Sequence, residues 1–456
     1  MQRMGDLILS FPLFLWLARE HPDHPIWVVA EEAFFRPLMA VSPKVTYFPW
    51  SGVSVLERES FRLLVNLSVR DEAAALAGRL AAEEKLGPIL EPGGVRRVRG
   101  TWQIYRAGLV ENNRHNRFHW ADLNALDAIG IARLRATFFD PPRRRAGPEN
   151  RVGVFLGASE AAKRPTAELW AALLRELLDR GLRPALLGGP AETGLAGEVA
   201  RAFAGPVLNL CGTLGLEEFA AAGQSLRLLI TPDTGPMHLA AWTGLATLNL
   251  SLGNVSPFET GPYQPGHFVL RSSASCAHGC WTCRRPRLLC HEPFAPGRVG
   301  FLAARIAAGD EADKLGRLTL PGLSLYATGR SEDGLHRLAP LSGRPPSAER
   351  LLGRFWQGFF GWRFGLFDGE RPRAAFGELR AAWPRLAQAF ARRLPRLGRE
   401  LGRGRVLGQD FLAGCPPLLK PFAGYAQLFL QNSDFAPKAW SAAVDHFEAL
   451  ALVCAR

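Results

Sequence analysis

The sequence predicts an α/β protein, with two doubly wound domains followed by a mainly helical extension. Three observations carry this. Short apolar runs alternate with amphipathic helical patterns through roughly the first two-thirds of the chain. A stretch rich in Pro, Arg and Gly, Asp140–Asn150, interrupts that alternation. From about Gly309 onward it gives way to arginine-rich sequence of helical period. The expected domains are therefore residues 1–145, 151–308 and 309–456.

Each element follows from local pattern. LFLWLARE (residues 13–20) and DEAAALAGRLAAEE (71–84) have helical period, whereas IWVVA (26–30), VTYFPW (45–50) and LLVNLS (63–68) read as strands. After the linker come a strand in RVGVFLGAS (151–159), a helix in ELWAALLRELLDRG (168–181) and a strand in RPALLGG (183–189). A helix in LEEFAAAGQS (216–225) follows. The tail, with RFWQGFFGWRFGLF (354–367), carries no motif and reads as a packed accessory domain, a membrane-surface element or a partner-docking surface.

Composition narrows the class of partner. A formal charge of +13 and a pI near 10 suit either an anionic partner or solubility alone. Seven cysteines in 456 residues do not resemble a secreted disulfide framework. No leader pattern opens the sequence and no apolar run is long enough to span a bilayer, so a cytoplasmic protein is expected. No GxGxxG follows a strand, which disfavours a dinucleotide oxidoreductase, and no nucleic-acid module is recognisable.

The most informative stretch is LRLLITPDTGPMHLAAWTGLATLNLSL (226–252). Two buried-type strands, LRLLI and ATLNLSL, bracket a helix MHLAAW with Pro236 at its first position and Thr234 or Gly235 as cap. Strand–turn–helix–strand builds parallel sheets, and it opens a helix N-terminus at the carboxyl edge of a strand. Free amides and the positive end of the helix dipole make that edge a phosphate site.

The segment from Asp233 to His267, DTGPMHLAAWTGLATLNLSLGNVSPFETGPYQPGH, resembles the signature region of the bacterial heptosyltransferases. RMGDLILSFPL (3–13), KRPTAELW (163–170) and LLGGPAE (186–192) agree in the expected order. The likeness spans residues 1 to 305 or so and implies the GT-B fold, two Rossmann-like domains facing across a cleft. It also implies an inverting transferase, glycosyltransferase family 9, that builds lipopolysaccharide core from ADP-heptose without a cofactor. The partners implied are the nucleotide sugar and a lipid-linked oligosaccharide, with peripheral contact at the inner membrane face and no nucleic acid.

Residue by residue, the resemblance assigns Asp6 as the base that takes the acceptor's proton; by itself Asp6 also reads as a helix N-terminal acid. Lys163 and the amides of Thr234 and Gly235 are implied around the diphosphate, where fixed positive charge lowers the barrier to departure. Asp233 is implied beside the transferred sugar, with helix capping as its other role. His238 faces a phosphate or sugar hydroxyl, or is a hydrogen-bonded core histidine. Glu192, just past a strand, is placed for the ribose hydroxyls, or is a solvated helix-start acid. Leu214 falls where the family brings backbone against the base. Arg70, Arg114 and Arg117, with His115 beside them, are acceptor candidates against a default of solvated surface.

No two aspartates stand two apart, so the metal-binding Asp-x-Asp pair is missing and no catalytic metal is expected. Two departures stand out. Only Met1 and Gln2 precede the RMGD sequence where relatives have an apolar strand, which suggests a start assigned too late. Cys276, Cys280, Cys283 and Cys290 could hold a structural zinc, or be a disulfide or free buried thiols. A different nucleotide sugar, or a non-catalytic homologue docking at the membrane, are the competing functions.

Overall fold

The computed structural model describes residues 3–137, 150–277, 279–283, 285–343, 345–403 and 409–455, with side chains omitted at 409 and 410. The chain forms two compact units. The first comprises residues 1–53, 119–122 and 132–344; the second comprises 54–118, 123–131 and 345–456. The expected N-terminal domain, 1–145, is thus shared between them. The predicted linker lies outside the described residues except for Asn150.

In the first unit the chain enters through a short helix, Met4–Ile8, and an apolar one, Phe11–Glu20. Strands β1 (Trp27–Val29) and β2 (Thr46–Phe48) then pair in parallel. In the second unit β3 (Ser60–Val65) pairs parallel with β4 (Ala81–Leu90), and β4 antiparallel with β5 (Arg96–Arg99). The helix expected over 71–84 ends at Arg79, because LAAEE leaves it to join β4. Pairing to β3 overrides the helical propensity of Ala and Glu. Gly78 is required there, since a Cβ would overlap the carbonyl of Leu90.

The large sheet of the first unit runs β13-β12-β11-β10-β9-β6-β7-β8. Its parallel strands are β6 (Arg151–Phe155), β7 (Arg183–Leu187), β8 (Leu208–Asn209), β9 (Leu228–Pro232), β10 (Thr247–Ser251) and β11 (Phe268–Ser272). β9 and β10 are buried at every residue, including Thr231, Thr247, Asn249 and Ser251 among their apolar side chains, as suits strands covered on both faces. The helix Ala167–Asp179, capped by Thr166, buries Trp170, Leu173, Leu174 and Leu177 against the sheet, each contributing about 1.5–3 kcal/mol.

The sheet does not stop at residue 308. An antiparallel hairpin, β12 (Leu323–Arg330) and β13 (His336–Pro340), extends it past β11. Its turn, Glu332-Asp333-Gly334, holds Gly334 at φ 76°, a conformation that favours glycine. Helical structure dominates only from Ala348, in the second unit. There the aromatic stretch is core: Phe355, Trp356, Phe359 and Phe360 are each no more than 1% exposed and contact Phe376, Phe390 and Phe422. The motif-free tail is thus a packed helical element.

Candidate functional site

Sheet order reverses between β6 and β9. From that point β7 and β8 run one way and β10 and β11 the other, and ligands of open α/β sheets bind at the carboxyl ends beside such a reversal. A cavity of about 340 Å³ lies there, walled by the segments after β6, β7, β8 and β9. Its lining is largely apolar, with Leu187, Leu214, Leu216 and Phe219, and it includes Glu192.

The Glu192 carboxylate is built in. It accepts a hydrogen bond from the Gly189 amide at 2.8 Å. Gly157 and Gly188 make room for it, since a Cβ at Gly157 would overlap the carboxylate and one at Gly188 would press on its stem. Leu214 and Thr234, both sequence candidates, line the same cavity.

The helix Gly235–Trp242 opens on this cavity. Thr234 is its N-cap, extended at φ −157° and ψ 162°, and no side chain caps the first amides. The Met4 side chain lies against Gly235, and a Cβ at Gly5 would be 3.1 Å from the His238 ring. The helix Met4–Ile8 is therefore packed on the phosphate-type helix mouth. Asp6 stands half-buried in its first turn, one residue from Gly5, and its carbonyl accepts from the Ser10 hydroxyl at 2.9 Å. The helix begins before Asp6, at Met4, so Asp6 is a first-turn acid as its sequence position suggests.

Behind the helix mouth lie four buried ionisable groups: Lys163, Asp233, His238 and Arg271. Asp233 does not cap the helix; its carboxylate accepts from the Thr260 hydroxyl at 2.8 Å. Burial pushes its carboxyl up, opposed by Lys163, the Thr260 hydroxyl and Arg271. Burial, then Lys163, push His238 down to about 4, so it is neutral near pH 7. Its Nδ1 is buried and without a hydrogen-bond partner among the described residues, unlike an ordinary satisfied core histidine. The Lys163 ammonium lies 3.3 Å from Glu160. Burial raises the Glu160 carboxyl, but hydrogen bonds from Asn254 and Lys163 and the Lys163 charge outweigh it and hold it low.

Arg271 escaped sequence reasoning, although an arginine in the apolar strand FVLRS was a visible signal. It donates to the Ser251 carbonyl at 2.8 Å, the Gly253 carbonyl at 3.2 Å and the Ala277 carbonyl. It thereby ties the end of β10 to the Gly253 turn, on which the Lys163 stem lies. A second missed group locates the Thr260 segment. Ala121 donates its amide to His119 Nδ1 at 3.2 Å, so Nε2 carries the proton and donates to the Gly261 carbonyl at 3.0 Å. Asp122 accepts from Tyr263 at 2.7 Å and from the His336 amide at 2.8 Å.

Residues 109–284 match the family described as glycosyltransferase family 9 (heptosyltransferase). That span resembles a family 9 glycosyltransferase domain. The matched span includes Lys163, Glu192, Asp233 and His238, while Asp6 and Arg70 lie outside it. Among solved structures, the chain is similar to a family 9 glycosyl transferase from Veillonella parvula DSM 2008. That likeness has a TM-score of 0.54 and 19% identity over 68% of this chain and 96% of the other. The E. coli ADP-heptose lps heptosyltransferase II is 19% identical at a TM-score of 0.49, covering 68% and 97%. The E. coli heptosyltransferase WaaC with ADP is 16% identical at 0.43, covering 58% and 88%. The sequence matches no curated protein. The first likeness shows the fold, α/β of the GT-B type.

The acceptor candidates belong to the second unit. Arg114 pairs with Glu349 at 2.7 Å, and Arg117 donates to the Asn116 and Glu349 carbonyls at 2.7 and 3.1 Å. Gly353 leaves space for the Arg117 guanidinium, so both arginines anchor the helix Ala348–Arg363. His115 is buried. Arg70 precedes the helix Asp71–Arg79, partly exposed, with Glu72 at 3.5 Å.

Cys276, Cys280, Cys283 and Cys290 are free thiols. Burial, then the neighbouring Cys283 and Cys276, push the Cys280 thiol up. Among the described residues, no three or more His, Cys, Asp or Glu are grouped to hold a metal ion.

Proposed function

We propose that this glycosyltransferase moves a heptose, or a related sugar, from an ADP-sugar to a lipopolysaccharide core or other lipid-linked acceptor, with inversion and without a metal. The observation that carries the reading is the shared cavity, where a built-in carboxylate and an open helix mouth lie at the sheet's switch point. Glu192 accepts the two ribose hydroxyls, while Leu214 and its apolar neighbours cover the base. The amides at Thr234 and Gly235 and the Lys163 ammonium receive the diphosphate.

Asp6 removes the acceptor hydroxyl proton as that oxygen attacks the anomeric carbon from the face opposite the diphosphate. The bond from carbon to the diphosphate oxygen breaks and its electron pair leaves with the phosphate. The growing charge is met by the fixed positive charge of Lys163 and the helix end, which fill the place of a cation. Asp233, held by Thr260, accepts a hydroxyl of the sugar in flight. Neutral His238 turns its unpartnered face to a phosphate or sugar hydroxyl. Arg70 is the acceptor contact; Arg114 and Arg117 are committed to their own unit's packing. The reaction belongs at the cytoplasmic face of the inner membrane, and no helix among the described residues is long and apolar enough to cross one.

One observation favours a different nucleotide as the second reading. The wall at Leu214, Leu216 and Phe219 is apolar and offers no side-chain donor or acceptor to select a base. Incubation with ADP-heptose and a lipid-linked core acceptor in chelator tests the proposal. The expected product has the inverted anomeric configuration, and Asp6→Asn slows turnover by about 10²–10⁴-fold while leaving nucleotide affinity intact. Retained turnover in Asp6→Asn removes the base assignment.

A further inference from the structure

The helix Pro384–Gly402 of the second unit has two opposite faces. Ala387, Phe390, Leu394, Leu397 and Leu401 are buried, at spacings of three and four residues. Arg385, Arg392, Arg396, Arg399 and, at its C-cap, Arg403 are all exposed. At 3.6 residues per turn, these arginines fall within an arc of about 60°, directly opposite the apolar stripe, along about 27 Å of helix. Arg403 pairs with Glu400 at 2.9 Å. The other four have no carboxylate partner among the described residues.

A solvated helix face ordinarily mixes both signs of charge, and stability gains from interspersed acids. Here the exposed line holds arginine with a single paired acid, so its self-repulsion goes uncompensated by the protein. Trp383, 45% exposed, stands immediately before the helix and donates its ring N–H to the Pro346 carbonyl at 3.4 Å. The arginines present one cationic line on the solvent side of the helix, which carries Pro395 in its interior. We infer that this face docks on an anionic lipid surface. The arginines pair with headgroup phosphates. This goes beyond the proposed transfer reaction and names the surface through which the chain meets a membrane.

The test is co-sedimentation of the full chain with phosphatidylcholine vesicles that carry about 30% phosphatidylglycerol, alongside vesicles of phosphatidylcholine alone. Binding to the anionic vesicles is expected, with release at about 0.5 M salt. The variant R392Q/R396Q/R399Q should partition about 100-fold more weakly, at roughly fivefold per neutralised arginine. Its thermal unfolding should match the parent's, since all three side chains are exposed. Equal binding to neutral vesicles, or unchanged partitioning of the folded variant, overturns the inference. So does duplex DNA binding more tightly than the anionic vesicles through the same arginines. No donor or acceptor enters the measurement, so its failure is separate from failure of the transferase reading.

Discussion

His119 and His238 show how burial sets protonation at single residues. Burial drives His119 down to about 3 and His238 to about 4, and both therefore stay neutral in the fold where an unfolded chain would protonate them. The unfolded chain binds more protons than the native state between about pH 6.5 and the folded values, so stability falls as pH falls through that window. At pH 5 each histidine costs about 2 kcal/mol relative to pH 8. Asp122 and Asp233, whose carboxyls burial pushes up, act in the opposite sense and offset part of the loss. Denaturant titrations at pH 8 and pH 5 should therefore give a lower midpoint at pH 5. His119→Gln, which keeps a donor and an acceptor but cannot titrate, should recover about 2 kcal/mol of the difference. An equal pH dependence in the variant would mean that His119 titrates normally.

Strand ends, more than strands, make the site. Gly157 follows β6 and Gly188 follows β7, and their missing side chains give Glu192 the space to lie across the cavity. Gly157→Ala should push the carboxylate aside and weaken nucleotide binding by about tenfold or more, the worth of a hydrogen bond to a charged group. Its far-ultraviolet circular dichroism should be unchanged, because the residue lies beyond the strand. Unaltered affinity in Gly157→Ala would show that Glu192 binds nothing. The motif around Asp233 was legible because its spacing is local: strand, cap, Pro236, helix. Its partners were not. Tyr263 reaches Asp122 across 141 residues and His336 reaches it across 214, distances over which no periodicity carries information.

At the scale of the molecule, the alternation of strand and helix announced an α/β protein, and the large sheet bears the switch point where that class binds ligands. Two features were less visible. Residues 54–118 leave the first unit and join the helical tail, a long-range partition that composition does not encode. The hairpin β12–β13 was hidden in arginine-rich sequence, although LSLYATGR alternates buried and less buried positions and Asp333-Gly334 marks its turn. The proposed function requires the cavity at the switch point to hold a nucleoside diphosphate through Glu192 and the open helix mouth. Calorimetric titration of ADP into the full chain in chelator, repeated with UDP and with Glu192→Gln, tests it most directly. One site, preference for ADP, and about 10–100-fold weaker binding in Glu192→Gln are expected. No binding of either nucleotide, or equal ADP affinity in Glu192→Gln, would contradict it.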